Sequence, residues 1–147
     1  MSRHSLGFTP AGPGTNLLPQ SSIYASANTR LILREIHVIQ TAATAVELAV
    51  QRLTTAGTSN AITGEGKWDA DTPNREATIR DTHTSTGPTI TAGEIESILL
   101  PGIIGSAWLW AFDGSGFIIP LGAANGAGVV VVNGTGQVVE TTYVWEE

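Results

Sequence analysis

The chain contains no cysteine and only one lysine, Lys67, among its 147 residues. Without thiols it cannot form a disulfide framework or a thiolate metal site, which fits synthesis in a reducing cytoplasm. A net charge of −6 with so few cations argues against nucleic acid or an anionic membrane as a partner. The composition therefore argues against the commonest partners of basic proteins.

Long apolar runs are also missing. No segment reaches the roughly 18 apolar residues of a membrane-spanning helix. The first twenty residues, MSRHSLGFTPAGPGTNLLPQ, contain no apolar core of signal-peptide length. We therefore expect a soluble protein that no signal peptide exports.

Motifs for catalysis are absent from the sequence. The three histidines, His4, His37 and His83, are isolated, and no H-x-H pair indicates a cupin-like metal site, although the fold could still assemble a trio in space. There is no G-x-S-x-G nucleophile elbow. The glycines of DGSGF and GAANGAG lack the GK[ST] ending of a phosphate loop and are typical of turns. We expect a protein that is not an enzyme and holds no cofactor or metal.

The longest irregular stretch surrounds Trp68. Asp69 and Asp71 are spaced as in a calcium loop, but Pro73 and Arg80 stand where further ligands belong, so a solvated loop is the better interpretation. The indole of Trp68 suits stacking on a sugar, and it equally suits a contact with another subunit or with the end of the domain. Trp68 is therefore a candidate for a glycan or subunit contact.

What the chain does have is a series of short apolar runs separated by Gly, Asn, Pro and Thr. AVELAVQRL and VVETTYVW alternate with the period of two that is typical of strands. SAWLWAFD places Trp108, Trp110 and Phe112 on one face. About eight such runs predict an all-β fold for residues 21–147, an antiparallel β-sandwich or jelly roll with almost no helix.

The run Val129, Val130, Val131 and Val132 does not alternate. Uninterrupted valines are typical of a strand that is covered on both faces. We expect the opposite sheet to cover one face and a neighbouring chain to cover the other. The four valines are thus candidates for an interface between chains.

Residues 1–20 differ from the rest of the chain because prolines and glycines interrupt them. Phe8, Leu17 and Leu18 are nevertheless apolar. These features predict an extended N-terminal arm over residues 1–20 that packs these three side chains on another subunit or surface. The alternative is a mobile tail.

Two segments carry a family resemblance. GFIIPLGAANGAGVVVVNGTGQVVETTYVWEE, and more loosely LREIHVIQTAATAVELAVQRLTTAGT, resemble the head-decoration (capsid cement) proteins of tailed bacteriophages. The resemblance covers about the last third of the chain and residues 30–57. It implies a jelly-roll-like sandwich, a homotrimer, and attachment to the outer surface of the capsid, and it implies no catalytic residues.

The expected function follows from this resemblance. The chain is expected to be a virion protein, made in the host cytoplasm, that binds the major capsid protein on the capsid surface and stabilises the shell. The alternative is a tail or receptor-binding protein that recognises host-surface glycans through aromatic side chains such as Trp68.

Overall fold

A computed structural model of the chain describes residues 1–14, 18–63, 66–67, 73–84, 86–91, 93–133 and 137–147, with backbone only for residues 66–67. All regular structure within these ranges is β-strand, in two antiparallel sheets, which confirms the predicted all-β class. The strands are β1 (Arg3–Phe8), β2 (Pro19–Tyr24), β3 (Leu31–Gln40), β4 (Val46–Leu53), β5 (Gly66–Lys67), β6 (Thr78–Arg80), β7 (Glu96–Leu100), β8 (Ala107–Ala111), β9 (Phe117–Ile119), β10 (Gly126–Asn133) and β11 (Val139–Glu146).

The two sheets divide the strands almost equally. The first sheet has the order β5-β1-β11-β3-β8, and β9 pairs with β3 next to β8. The second sheet has the order β6-β2-β10-β4-β7. Because β1 to β4 alternate between the sheets, the apolar face of each strand is directed into one shared core.

Large aromatic side chains fill this core. Trp110, Trp145 and Tyr143 are almost inaccessible to solvent. The Tyr143 hydroxyl lies 2.8 Å from the Ser21 hydroxyl of the opposite sheet, and burial raises the pKa of Tyr143. This hydrogen bond satisfies two buried polar groups and links the sheets across the interior.

The valine run of β10 is buried by its own chain. Val129 and Val131 belong to the core between the sheets. Val130 lies outside that core cluster but is also fully buried. On the same side of β10, an added Cβ at Gly128 would meet the side chains of Leu53 and Pro19, so the chain itself covers this face.

This burial corrects the expectation that a neighbouring chain covers the run. Loops of the same chain lie on the outer face of the second sheet, where the Tyr24 hydroxyl donates to the carbonyl of Thr55 and the Ser22 hydroxyl lies 2.8 Å from Nε2 of His83. Val129, Val130 and Val131 therefore offer no surface to a partner. Val132, at the end of the run, is half-buried.

The N-terminal residues do not extend away from the sandwich. Residues 3–8 form β1, which pairs with β11 over its whole length and with β5 on its other side. The Phe8 ring stacks on Tyr143 with 6.4 Å between ring centroids, so it packs on its own core rather than on another subunit. Leu17 lies outside the described residues, and Leu18 is half-buried against Gly87.

The prolines and glycines of this region mark a crossover. Residues 9–14 lead from β1 in the first sheet toward β2 in the second. The carboxylate of Asp81 accepts the backbone N–H of Ala11, and the Thr82 hydroxyl donates to the carbonyl of Gly12. The prolines and glycines that predicted a free arm thus lie in a connection that hydrogen bonds hold against the domain.

Candidate interaction surface

Exposed apolar side chains gather where β7 and β8 end their two sheets. Each has between 44% and 67% of its surface exposed. We call them the 99–109 surface: Leu99, Ile103, Ile104, Trp108 and Leu109. Leu99 is paired with Glu47 and Leu109 with His37, so these two leucines lie on the outer faces of the two sheets, on either side of the turn. Exposed apolar side chains grouped in this way commonly mark interaction sites.

The turn between β7 and β8 presents two of these side chains. The backbone N–H of Ile103 donates to the carbonyl of Pro101, and the N–H of Gly105, at φ +88°, donates to the carbonyl of Gln40. A Cβ at Gly102 would come within 3.0–3.3 Å of the backbone of residues 43–45, so the turn packs tightly on the neighbouring loop. This packing leaves Ile103 and Ile104 directed to solvent.

The strand β8 contributes the remaining residues of the 99–109 surface. Trp108 and Trp110 are paired with Val38 and Ile36 of β3, two core positions, which confirms that both indoles lie on the inward face. Trp110 is buried, but Trp108 is 44% exposed because it lies at the open side of the sandwich. Leu109 projects from the opposite, outer face.

A shallow hollow of about 250 Å³ lies along β3 and β8. It is lined by His37, Val38, Ile39, Ala107, Trp108 and Leu109. The only polar side chain in this lining is His37, whose Nε2 lies 2.8 Å from the carboxylate of Glu35. A lining of this chemistry fits an apolar side chain of a partner better than a polyhydroxylated ligand.

Two arginines on the outer face of the first sheet are engaged with carboxylates of the same face. Arg34 donates to Glu146 at 2.8 Å and to the carbonyl of Gly114 at 2.9 Å. The hydrogen bond raises the pKa of Arg34 and lowers that of Glu146. Arg3 lies 3.5 Å from Glu35. These ion pairs line a second hollow. Its charged lining distinguishes it from the apolar 99–109 surface.

A serine–histidine pair is buried beneath the loops of the second sheet. Ser22 Oγ lies 2.8 Å from His83 Nε2, and both side chains are almost inaccessible to solvent. Burial, with Arg80 nearby, lowers the pKa of His83 to about 4, so its imidazole is neutral at pH 7. The nearby Asp81 carboxylate accepts the N–H groups of Ala11 and Thr82. The geometry lacks the open access that a nucleophile and its base require.

The other two histidines lie in separate environments. His4 is buried, stacks on Trp145 at 5.5 Å, and lies 3.4 Å from Glu147. His37 is paired with Glu35 on the outer face. In the part of the chain that the structure describes, no three His, Asp or Glu side chains come together in a way that could hold a metal ion.

The sequence predicted a different set of interface residues. Phe8 packs on the core and Val129–Val131 are buried by their own chain, whereas Trp68, Asp69 and Asp71 lie outside the described residues. The residues that were missed are Leu99, Ile103, Ile104 and Leu109. A signal for them exists: PGIIG places two isoleucines in a turn, where polar residues are usual, and AWLWA contains no polar residue.

No family model, curated protein or solved structure matches the chain. Among the described residues there is no helix of the length and apolarity that spanning a membrane would require.

Proposed function

We propose that the chain is a virion structural protein that binds the outside of an assembled phage capsid and stabilises it, as a homotrimer on the major capsid protein. The observation that carries the proposal is the 99–109 surface, a strip of exposed apolar side chains along the edge of the sandwich where β7 and β8 end the two sheets. Such a strip is suited to binding a protein surface.

The strand order supports a jelly roll as the scaffold. With the short strands β5, β6 and β9 set aside, the first long strand pairs with the last, the second with the second last, and so on inward: β1 with β11, β2 with β10, β3 with β8, β4 with β7. This nesting is the pattern of a double Greek key, which viral capsid proteins use widely.

The stabilisation would be thermodynamic. A protein that binds only the assembled shell shifts the equilibrium toward assembly by mass action. An isoleucine that passes from two-thirds exposed to buried contributes on the order of 1–2 kcal/mol. Three copies of the surface in a trimer bind with the added strength of multivalency.

The glycan-binding alternative has less support. It was based on Trp68, which lies outside the described residues. The exposed indole of Trp108 sits in a hollow with a single polar side chain, His37, whereas sugar recognition depends on several hydrogen-bonding groups around the aromatic ring. We therefore place the partner among proteins rather than glycans.

The experiment uses particles that lack the chain, obtained by deleting its gene from the phage that encodes it. Purified wild-type chain is added back, and binding and the temperature of DNA release are measured. We expect wild type to bind and to raise the release temperature. The double variant Ile103→Ser/Ile104→Ser should bind at least about tenfold more weakly, which corresponds to about 1.4 kcal/mol.

The matched control is Ile118→Ser, which alters an exposed isoleucine of β9 away from the 99–109 surface. It should bind as wild type does. Particles that take up no wild-type chain would refute the function. Equal binding of the double variant and wild type would refute the role of the 99–109 surface. An assembly on the particle whose mass is not a multiple of three chains of 15.3 kDa would refute the trimer.

A further inference from the structure

The four outer edges of the two sheets differ in how they are protected. The edge strand β5 has two residues. The outer side of β6 is covered by residues 60–62, through a bridge between Ala61 and Arg80 and two further backbone hydrogen bonds. The strand β7 begins with Glu96 and is followed by Pro101. Short strands, covering loops, charges and prolines are the usual devices against edge-to-edge pairing.

The strand β8 has none of these devices. Its sequence, AWLWA, contains no charge, no proline and no glycine, and its five residues are regular. Within the described part of the chain, no strand pairs with the side of β8 that faces away from β3. The neighbouring β9 is different, because the guanidinium of Arg52 donates to the carbonyl of Ile118 at 2.9 Å.

The register identifies the backbone groups on the open side. The N–H of Gln40 donates to the carbonyl of Ser106, and the N–H of Phe112 donates to the carbonyl of Arg34. Hydrogen-bonded pairs alternate in an antiparallel ladder, so Trp108 and Trp110 bond to β3. The N–H and C=O groups of Ala107, Leu109 and Ala111 therefore point away from the sheet. These three N–H and three C=O groups form a row of six along the open edge of β8.

This row is complementary to a second copy of itself. AWLWA reads the same in both directions. An antiparallel partner related by a two-fold axis at Leu109 would put Leu109 opposite Leu109 and Ala107 opposite Ala111. All six open groups of each strand would then be bonded. Trp108 of each chain would lie opposite Trp110 of the other, in a cross-strand aromatic pair.

The flanking residues are compatible with this arrangement. In the same register Asp113 lies opposite Gly105, and Ser106 lies opposite Phe112, so no like charges face each other at these positions. The outer face of the joined strands carries alanine and leucine only. The partner strand would cover the exposed parts of Trp108 and Leu109, and it would leave Leu99, Ile103 and Ile104 of the 99–109 surface for the proposed capsid contact.

We infer that two copies of the chain associate edge to edge through β8, in antiparallel register about a two-fold axis at Leu109, to form one continuous sheet across both chains. The partner is a second copy because the strand is self-complementary in length, charge and side-chain order. The contact is isologous and thus distinct from a three-fold interface. It joins two single chains or two trimers, and it does not depend on the proposed capsid function.

Single cysteines test the register directly, because the chain has none of its own. In the proposed pairing the two Leu109 Cα atoms are about 5.5 Å apart, within reach of a disulfide. Ala107 of one chain is equally close to Ala111 of the other. It is about 14 Å from Ala107 of the other chain, which is too far for a disulfide.

We therefore expect Leu109→Cys to form a covalent dimer under mild oxidation. Ala107→Cys and Ala111→Cys should remain single chains alone and cross-link when mixed. Leu121→Cys, exposed in the turn after β9, is the control for random collision. If Leu109→Cys cross-links no faster than Leu121→Cys, the inference is wrong. Cross-linking of Ala107→Cys alone, as fast as the mixture, would overturn the register.

Discussion

At the scale of single residues, the buried His83 makes stability depend on pH. Its pKa of about 4 in the fold lies below the ordinary value of 6.5, because burial and Arg80 disfavour the charged imidazole. The unfolded chain therefore binds the proton first, and the free energy of unfolding falls as the pH decreases from about 6.5 to about 4. The difference between these two pKa values of His83 corresponds to a loss of at most about 3 kcal/mol in the free energy of unfolding.

Urea unfolding at pH 7 and pH 4.5 measures this dependence. Wild type should lose more stability over this interval than His83→Gln, which retains an amide that can bond to Ser22 but does not titrate. The comparison removes the contribution of the carboxylates, because both proteins share them. An identical loss in both proteins would show that His83 is not the group responsible.

The hydrogen bond between Ser21 and Tyr143 gives a second residue-scale prediction. Tyr143→Phe leaves the Ser21 hydroxyl in the core without its partner, which should cost about 1–3 kcal/mol in the free energy of unfolding. The double variant Ser21→Ala/Tyr143→Phe should lose less than the sum of the two single losses. Denaturant unfolding of all four proteins provides the measurement, and strict additivity would contradict the bond.

At the scale of elements, the strand β1 distinguishes a folded N-terminus from a free arm. Phe8 packs on the core and on Tyr143, so Phe8→Ala should lower the free energy of unfolding of the isolated chain by about 2 kcal/mol, less than a fully buried phenylalanine. Met1→Ala, at a position 74% exposed, should change it by less than about 0.5 kcal/mol. Equal free energies of unfolding for Phe8→Ala and wild type would instead support a free N-terminal arm.

The elements also show what the sequence could predict. The alternation of apolar and polar residues in VELAVQRL and VETTYVWE predicts strands. The first segment forms β4 and the second forms β11. The prediction that prolines and glycines exclude regular structure from residues 1–20 holds for residues 9–14 but is wrong at Gly7, which lies in β1, and at Pro19, which begins β2. The short pattern of Arg3–Phe8 was missed because six residues between a terminus and a proline carry little periodicity, and their pairing with β11 joins opposite ends of the chain.

At the scale of the whole molecule, the position of a strand in its sheet decides its role. The sequence of β10 and that of β8 are both strongly apolar. The first lies at the centre of its sheet, where loops of the same chain also cover it, whereas the second lies at an edge. Long-range pairing sets this difference, and no local pattern encodes it. The edge position of β8 therefore had to be located from the fold, whereas the sequence PGIIG already indicated apolar residues in a turn.

The account's central claim is that this sandwich acts by attachment to a capsid, with its apolar side against another protein. Cryo-electron microscopy of particles from the phage that, on this proposal, encodes the chain tests it most directly. The account predicts density for the domain on the outside of the head, with Ile103 and Ile104 buried against a neighbouring protein. Density on the tail alone, or a head-bound domain whose 99–109 surface faces solvent, would contradict it.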